Sequence, residues 1–299
     1  MTAGPRLTLG PLLFNWPAGR IRDFYARIAD EAPVDTVHLG EAVCSKREPF
    51  LREVLPEAAE RLARSGKEVV WSTLGLIADG RDVRATRTLV DDLHELVEVN
   101  DLTALSMLDG RPCVIGPTVN IYNEGTLAWL AGRGAIRACL PPELPEAGIT
   151  ALAGAAGSVE LELFAFGRMP LALSARCYHA RAYGLHKDGC QYVCGEDPNG
   201  MPLETLEGEP FLAINGIQTL SHAVADLSLD AGRLAEAGIR RFRLSPQAVD
   251  MVAVAETWRA LLDERTEAAE AHSRIADLVG FAGLANGYLH GLAGAVRTA

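Results

Sequence analysis

The chain has 299 residues, 48% of them hydrophobic, which is ample for a sizeable core and excludes a disordered chain. Its formal net charge of −11 argues against a nucleic-acid partner, whose footprint should be basic. The first ten residues carry no apolar segment of signal-peptide type. The best apolar stretch, 151–175, is broken by Glu160, Glu162 and Arg168, so no transmembrane segment is expected. A cytoplasmic location follows as the expectation. Thiols stay reduced there, and six cysteines then read as metal ligands or core residues, not as three disulfides.

In chain order, Leu7 to Leu13 reads as a buried strand, and Arg20 to Glu31 as a helix with Ile21, Phe24, Tyr25 and Ile28 at helical spacing. Val34 to Leu39 is a second strand, followed by a loop from Gly40 to Cys44. A helix starts at Pro49 and runs to Arg64; Pro56 kinks or divides it and Gly66 ends it. Glu68 to Thr73 is a third strand, Val83 to Val99 a helix, and Leu102 to Ser106 a short fourth strand. Cys113 to Val119 is a fifth strand, Glu124 to Gly132 a helix, Ala135 to Leu140 a sixth strand and Pro145 to Ala156 a helix. Val159 to Phe166 is a seventh strand, with Leu171 to Ala175 as an extended continuation. Leu203 to Gly216 reads as hairpin material, Ala223 to Ala237 as a helix, Ile239 to Leu244 as the last strand and Ala248 to Leu262 as the last long helix. The tail from Gly280 is glycine-rich with weak periodicity.

Strands alternate with helices about eight times, the pattern of a parallel α/β sheet. No Gly-x-Gly-x-x-Gly follows the first strand, so a dinucleotide-binding doubly wound sheet lacks support. The expected fold is a single-domain α/β protein over 1–299, a TIM-barrel-like (β/α)8 fold. It carries a cysteine-rich loop at 174–200 and a small β insertion at 201–217. In such barrels the loops after strand C-termini carry the chemistry. Cys44 follows the second strand and the cysteine-rich loop follows the seventh, so both belong to one face.

Cys177, Cys190 and Cys194 lie in a polar segment punctuated by Gly189 and Gly195, which permit the tight turns that gather sulfurs. Three thiolates need a fourth ligand, and Cys44 is the natural candidate. Soft thiolates suit iron–sulfur clusters, zinc or copper(I). Structural zinc usually takes two short pairs with two to four residues between the cysteines, and here only Cys190 and Cys194 form one, whereas a cluster accepts scattered cysteines that converge in space. His179 and His186 could serve zinc; beside Arg181 and Lys187 they read as ordinary loop histidines. Arg176, Arg181 and Lys187 would offset the charge of a cluster. Cys113 and Cys139 sit in apolar strands and read as core.

Three stretches together resemble the family once named for collagenase-like peptidases, in its ubiquinone-biosynthesis branch. They are Gly40 to Arg47, Glu162 to Cys177 with its Phe-Gly-Arg-Met-Pro run, and the Cys190/Cys194 pair. The likeness extends to Asn286–His290. It implies a barrel-like fold and a [4Fe–4S] cluster on Cys44, Cys177, Cys190 and Cys194. It also implies a heterodimer with a homologous UbiU-like subunit, a UbiT-like lipid carrier, and oxygen-independent hydroxylation of a ubiquinone precursor; in related members that hydroxylate RNA bases, prephenate is the implied oxygen donor. The chain is then a subunit of a hydroxylase. The alternatives are a structural or sensory iron–sulfur or zinc subunit without catalysis, and a peptidase. The last has neither His-Glu-x-x-His nor Gly-x-Ser-x-Gly to support it.

Polar candidates on the same barrel face are Glu41, Arg47, Asn120, Glu162 and Arg176. The arginines could hold a carboxylate donor in bidentate fashion; Glu162 and Arg176 could equally pair with each other in the barrel mouth. Asn15, Trp16 and Trp71 are either an apolar wall for an aromatic ring or ordinary packing.

Overall fold

The computed structural model describes residues 4–93 and 95–298. Seven strands run parallel in sequence order: β1 (Arg6–Leu9), β2 (Thr36–Leu39), β3 (Glu68–Ser72), β4 (Val97–Val99), β5 (Cys113–Ile115), β6 (Ala135–Leu140) and β7 (Glu160–Leu173). Three antiparallel strands follow: β8 (Met201–Glu204), β9 (Pro210–Asn215) and β10 (Gln218–Asp226). Then β11 (Arg241–Leu244) pairs in parallel with both β7 and β1 and closes an eight-stranded barrel. A short β12 (Leu284–Ala285) adds to β10. The expected (β/α)8 architecture is the observed one.

Helices surround the barrel: α1 (Ala18–Asp30), α2 (Glu48–Leu51), α3 (Val54–Arg64), α4 (Gly80–Asp92), α5 (Leu102–Leu108), α6 (Glu124–Ala131), α7 (Glu146–Ala155), α8 (Tyr178–Ala182), α9 (Ala231–Glu236), α10 (Met251–Leu262) and α11 (Ala268–Val279). Their apolar faces meet the outward residues of the strands. Leu7, Leu9, Val37, Leu39, Val97, Val99 and Phe242 join Ile21, Leu62, Leu105 and Trp258 in one continuous core. Among the described residues no helix is long and apolar enough to cross a membrane.

The inward residues form a different kind of core. TIM-barrel interiors are usually packed with Val, Ile and Leu; here two layers are polar. Nearer the strand N-termini, Arg137 and Arg241 bridge Glu68 and Glu160, and Thr36 Oγ1 donates to Glu68 at 2.7 Å. Above them Arg243 binds Glu162 through Nε and Nη2, both at 3.1 Å, and Glu98 through Nη1 at 2.6 Å. His38 and Ser72 also meet Glu98. Burial alone would raise both carboxyls, but Arg243 overrides it and holds Glu98 well below, and Glu162 below, the ordinary glutamate range.

Several sequence expectations need correction. The long helix at 83–99 ends at Asp92, and its last residues are β4; His94 lies outside the described residues. Val97–Glu98–Val99 alternates out–in–out, the strand period, within a run whose leucines and valines suggested a helix. The strand expected at 102–106 is α5, started by the Asp101 carboxylate accepting the Thr103 N–H. The helix expected at 223–237 begins only at Ala231; before it, β10 continues the antiparallel sheet. The helix α11 was not anticipated. The helix after Cys44 does divide, but at Arg52 and Glu53; Pro56 sits in the first turn of α3, where no intrahelical N–H is needed.

Candidate metal centre

The strand β7 is long because Gly167 lets it turn out of the barrel. Its φ is +121°, and a Cβ there would meet the Ser245 Cβ at 2.7 Å. Beyond it the strand pairs with β10 and delivers the chain to Cys177. The loop after β2 comes up beside it. As a result Cys44, Cys177, Cys190 and Cys194 line one cavity, together with Lys46, Arg47 and Lys187. Three separate stretches of chain thus bring four thiols to one place.

Each cysteine is fixed by its local backbone. Glu41 accepts the N–H groups of Val43 (2.8 Å) and Cys44 (2.9 Å), setting the turn that carries Cys44. Cys177 caps α8, and the Ala180 N–H reaches its Sγ at 3.4 Å. Between Cys190 and Cys194, Gln191 (φ 47°) and Tyr192 (φ 56°) are both left-handed, a conformation that non-glycine residues adopt at a cost and that clusters at functional sites. This reversal returns Cys194 to the cavity. Leu13, Ala42, Val43, Ala180 and Ile217 form an apolar shell around the site. Burial pushes the Cys44 and Cys177 thiols up, while Arg47 pulls both back toward the thiolate.

Arg47 is the organising cation. It is 2% exposed, donates to the Leu13 carbonyl at 2.8 Å and to Asn215 Oδ1 at 2.9 Å, and lies 3.9 Å from Glu41. Burial works against its charge, yet Glu41, Cys194 and Cys44 more than compensate and hold the guanidinium above its usual range. Asn215 also donates to the Leu13 carbonyl at 2.7 Å, so the loop after β1, the Cys44 loop and the β9–β10 turn are tied at one point. At that turn Gly216 has φ +63°, and a Cβ would stand 2.8 Å from Arg47 Nη2. Lys46 donates to Asp188 at 2.9 Å and to the Lys187 carbonyl.

The remaining candidates fall elsewhere. Glu162 does not pair with Arg176: its partner is Arg243, inside the barrel, because strand alternation turns Glu162 inward while Arg176 lies beyond the end of β7. Arg176, Arg181 and Asn120 are exposed and do not line the cysteine cavity; Lys46 and Arg47 supply its cations together with Lys187. His179 is not an ordinary loop histidine. It is fully buried, with Nε2 2.9 Å from Asp197 and Nδ1 3.2 Å from the Ile214 carbonyl, and it stacks on Tyr183. His186 accepts the Gly189 N–H. Neither histidine lines the cavity. Cys113 and Cys139 are buried away from it; burial lifts the Cys113 thiol to about 11. Trp16 packs in the core and donates to the Pro198 carbonyl, and Asn15 donates to the Tyr192 carbonyl, so both brace the cysteine loop.

The donor set fits a thiolate-ligated cluster. Four sulfurs face one space that no carboxylate or imidazole lines, and cations stand beside it. Among the described residues no group of three or more His, Cys, Asp or Glu side chains is arranged to hold a metal ion. Sequence reasoning missed Lys46, Asn215 and Gly216; the adjacent Asn-Gly, a strong turn signal, was the available clue.

Comparison with solved structures finds distant likenesses. The spore coat polysaccharide biosynthesis protein SpsE of Bacillus subtilis aligns at 11% identity and TM-score 0.46, over 100% of this chain and 76% of that one. The tryptophan synthase complex of Pyrococcus furiosus aligns at 10% and 0.40, over 93% and 100%. The phospho-2-dehydro-3-deoxyheptonate aldolase of Thermotoga maritima aligns at 10% and 0.38, over 94% and 71%. The model of peptidase family U32 matches residues 20–296, and the chain belongs to that family.

Proposed function

We propose that this chain is a cytoplasmic, UbiV-like iron–sulfur subunit that supports oxygen-independent hydroxylation of a ubiquinone precursor. In this reading it is paired with a UbiU-like homologue and served by a UbiT-like lipid carrier, with prephenate as oxygen donor. The observation that carries the reading is the gathering of Cys44, Cys177, Cys190 and Cys194 around one cavity faced by Arg47, Lys46 and Lys187. Those four cysteines hold the [4Fe–4S] cluster. When bound, the cluster supplies one-electron chemistry. The chain's own groups do the rest. Glu41 holds the Cys44 turn through two N–H groups, Arg47 offsets thiolate charge from a fixed position, and the His179–Asp197 pair anchors α8 under Cys177.

The test is iron, sulfide and zinc content with a visible spectrum, on protein purified without oxygen and on Cys190→Ala. About four irons and four sulfides per chain, with a broad brown absorbance lost in the variant, is the expected result. One zinc and no colour overturns it.

One observation favours a second reading. Glu162 is locked to Arg243 within the barrel, and Asn120 and Arg176 are exposed. On that reading the subunit is structural or sensory and the homologous subunit carries the reaction. Survival of hydroxylation in Asn120→Ala and Arg176→Ala variants, with the complex intact, favours it; loss favours a catalytic subunit.

A further inference from the structure

A hollow of about 30 Å³, separate from the cysteine cavity, lies at the C-terminal mouth of the barrel, where Gly10, Asn100 and Ser245 follow the ends of β1, β4 and β11. Its walls are mainly apolar, with Pro11, Pro117, Phe164 and Leu173. The stem of Arg243 forms the floor: a Cβ on Gly10 would stand 3.3 Å from Arg243 Cδ. Leu173, at the end of β7, is the lid. It is seated against Gly75, where a Cβ would come within 2.8 Å of Leu173 Cδ1. Leu13 and Ala42 belong both to this wall and to the apolar shell around the cysteines, so the two spaces are neighbours. One water needs about 10–15 Å³, so the closed hollow has room for a small polar group.

Two polar side chains that line it are almost wholly buried yet have groups to spare. Gln218 is 3% exposed and Ser245 2%; among the described residues the Gln218 side-chain N–H groups and the Ser245 hydroxyl have no hydrogen-bond partner. Both keep accessible surface, unlike the sealed Thr8 hydroxyl and His38 ring deeper in the barrel. Asn100 and Thr118 beside them are engaged: Thr118 Oγ1 donates to the Asn100 carbonyl at 2.7 Å, and Asn100 Nδ2 to the Thr73 carbonyl at 3.0 Å. Which end of the Gln218 amide faces the hollow is decided at the cysteine cavity. A guanidinium only donates, so Arg47 holds the Asn215 oxygen toward itself at 2.9 Å. Asn215 Nδ2 then donates to Gln218 Oε1 at 3.3 Å, which leaves Gln218 Nε2 for the hollow. A buried donor without an acceptor is unfavourable. Below, Arg243 already serves two carboxylates, so the interior has no spare positive charge for an anion. We infer that the barrel mouth binds the carbonyl oxygen of a neutral ligand on Gln218 Nε2 and Ser245 Oγ, with Leu173 moving aside for the rest of the molecule. This goes beyond the proposed function, since it depends on Arg47 and Asn215 and not on which metal the four cysteines hold.

The test titrates acetone and acetate, each isotopically labelled at the carbonyl carbon, into protein purified without oxygen, and follows the label by carbon NMR. Wild type and Leu173→Ala are compared. Leu173→Ala opens the lid, and acetone then binds saturably with a dissociation constant on the order of 1–10 mM. That is about five-fold tighter than wild type, which must move Leu173, and the carbonyl resonance shifts downfield as the hydrogen bonds form. Acetate binds more weakly than acetone. In the Leu173→Ala background, Gln218→Met keeps the shape, removes the donor and weakens acetone about five-fold. Ser245→Ala does the same for the second donor and stands in if the methionine variant does not fold. Asn215→Asp stays paired with Arg47 but offers Gln218 only acceptors. The Gln218 amide then turns round, presents Oε1 to the hollow, and acetone weakens by a similar factor. No saturable binding to Leu173→Ala, acetate tighter than acetone, or acetone affinity unchanged in the donor variants or in folded Asn215→Asp each overturns the inference.

Discussion

At the scale of residues, Cys177, Cys190 and Cys194 stood out by spacing in a glycine-punctuated polar loop, and Cys44 entered only as the fourth ligand they would need; the fold brings all four to one cavity. Their support was not readable. Arg47 sits three residues from Cys44 and stood out only as a charge on the barrel face. Its importance comes from Leu13 and Asn215, which are distant in sequence and meet it only in the folded chain. Gly216 makes the dependence testable. Gly216→Ala adds a Cβ 2.8 Å from Arg47 Nη2 at a φ of +63°, and is expected to cost about 1–3 kcal/mol in urea unfolding. Gly66→Ala is the control: its φ is +84° but nothing lies within 4 Å, so it should cost about 1 kcal/mol. Equal losses in the two variants would show that Arg47 yields freely.

At the scale of elements, legibility followed how much local chemistry each segment carries. The strand β6 was read to the residue, since Gly134 and Pro141 punctuate a run that is apolar except for Arg137. The strand β4 is three residues long and joins helical sequence on both sides, so only barrel closure defines it. The strand β10 was hidden by alanines and valines that suit either state; its antiparallel partners β7 and β9 decide the outcome. Helix caps went unread: the last long helix was expected from Ala248, but it starts at Met251, after Asp250. The Asp250 carboxylate accepts the N–H groups of Val252 and Ala253 and starts α10, whose Trp258 is fully buried against Phe242. Asp250→Ala should therefore cost about 1 kcal/mol, while Asp250→Asn should be close to neutral. Thermal unfolding of the two variants side by side checks this. A large loss for Asn would point to the ion pair with Arg27, which is exposed and should contribute little.

At the scale of the whole molecule, the barrel is held from within by charge. Glu98 and Glu162 share Arg243, and both carboxyls titrate below their ordinary value of 4.5. Folded-state values depressed in this way stabilise the fold fully above pH 4.5 and lose that contribution as pH falls through them. Unfolding free energy should thus decline on acidification below that point, as measured by denaturant titration across pH 3 to 7. Arg243→Met leaves two buried carboxylates without their cation and should cost about 3–5 kcal/mol at neutral pH. Its deficit relative to wild type should shrink in acid, where the freed carboxyls can protonate. A deficit constant with pH would mean that the loss is one of packing. Such an interior explains why periodicity found the barrel without revealing its filling: alternation places Glu160 and Glu162 on one face and cannot say whether that face meets water or arginine.

The convergence of Cys44 with Cys177 has a topological consequence. More than a hundred residues, including all of β3 to β7, lie between them. With a cluster in place, that span becomes a closed loop, and a cross-link over such a length removes chain entropy from the unfolded state by an amount on the order of 4–5 kcal/mol. Oxidative loss of the cluster would then act as the cutting of a knot. The barrel would keep its contacts but lose its tether, and proteases would find the half between β2 and β7 first.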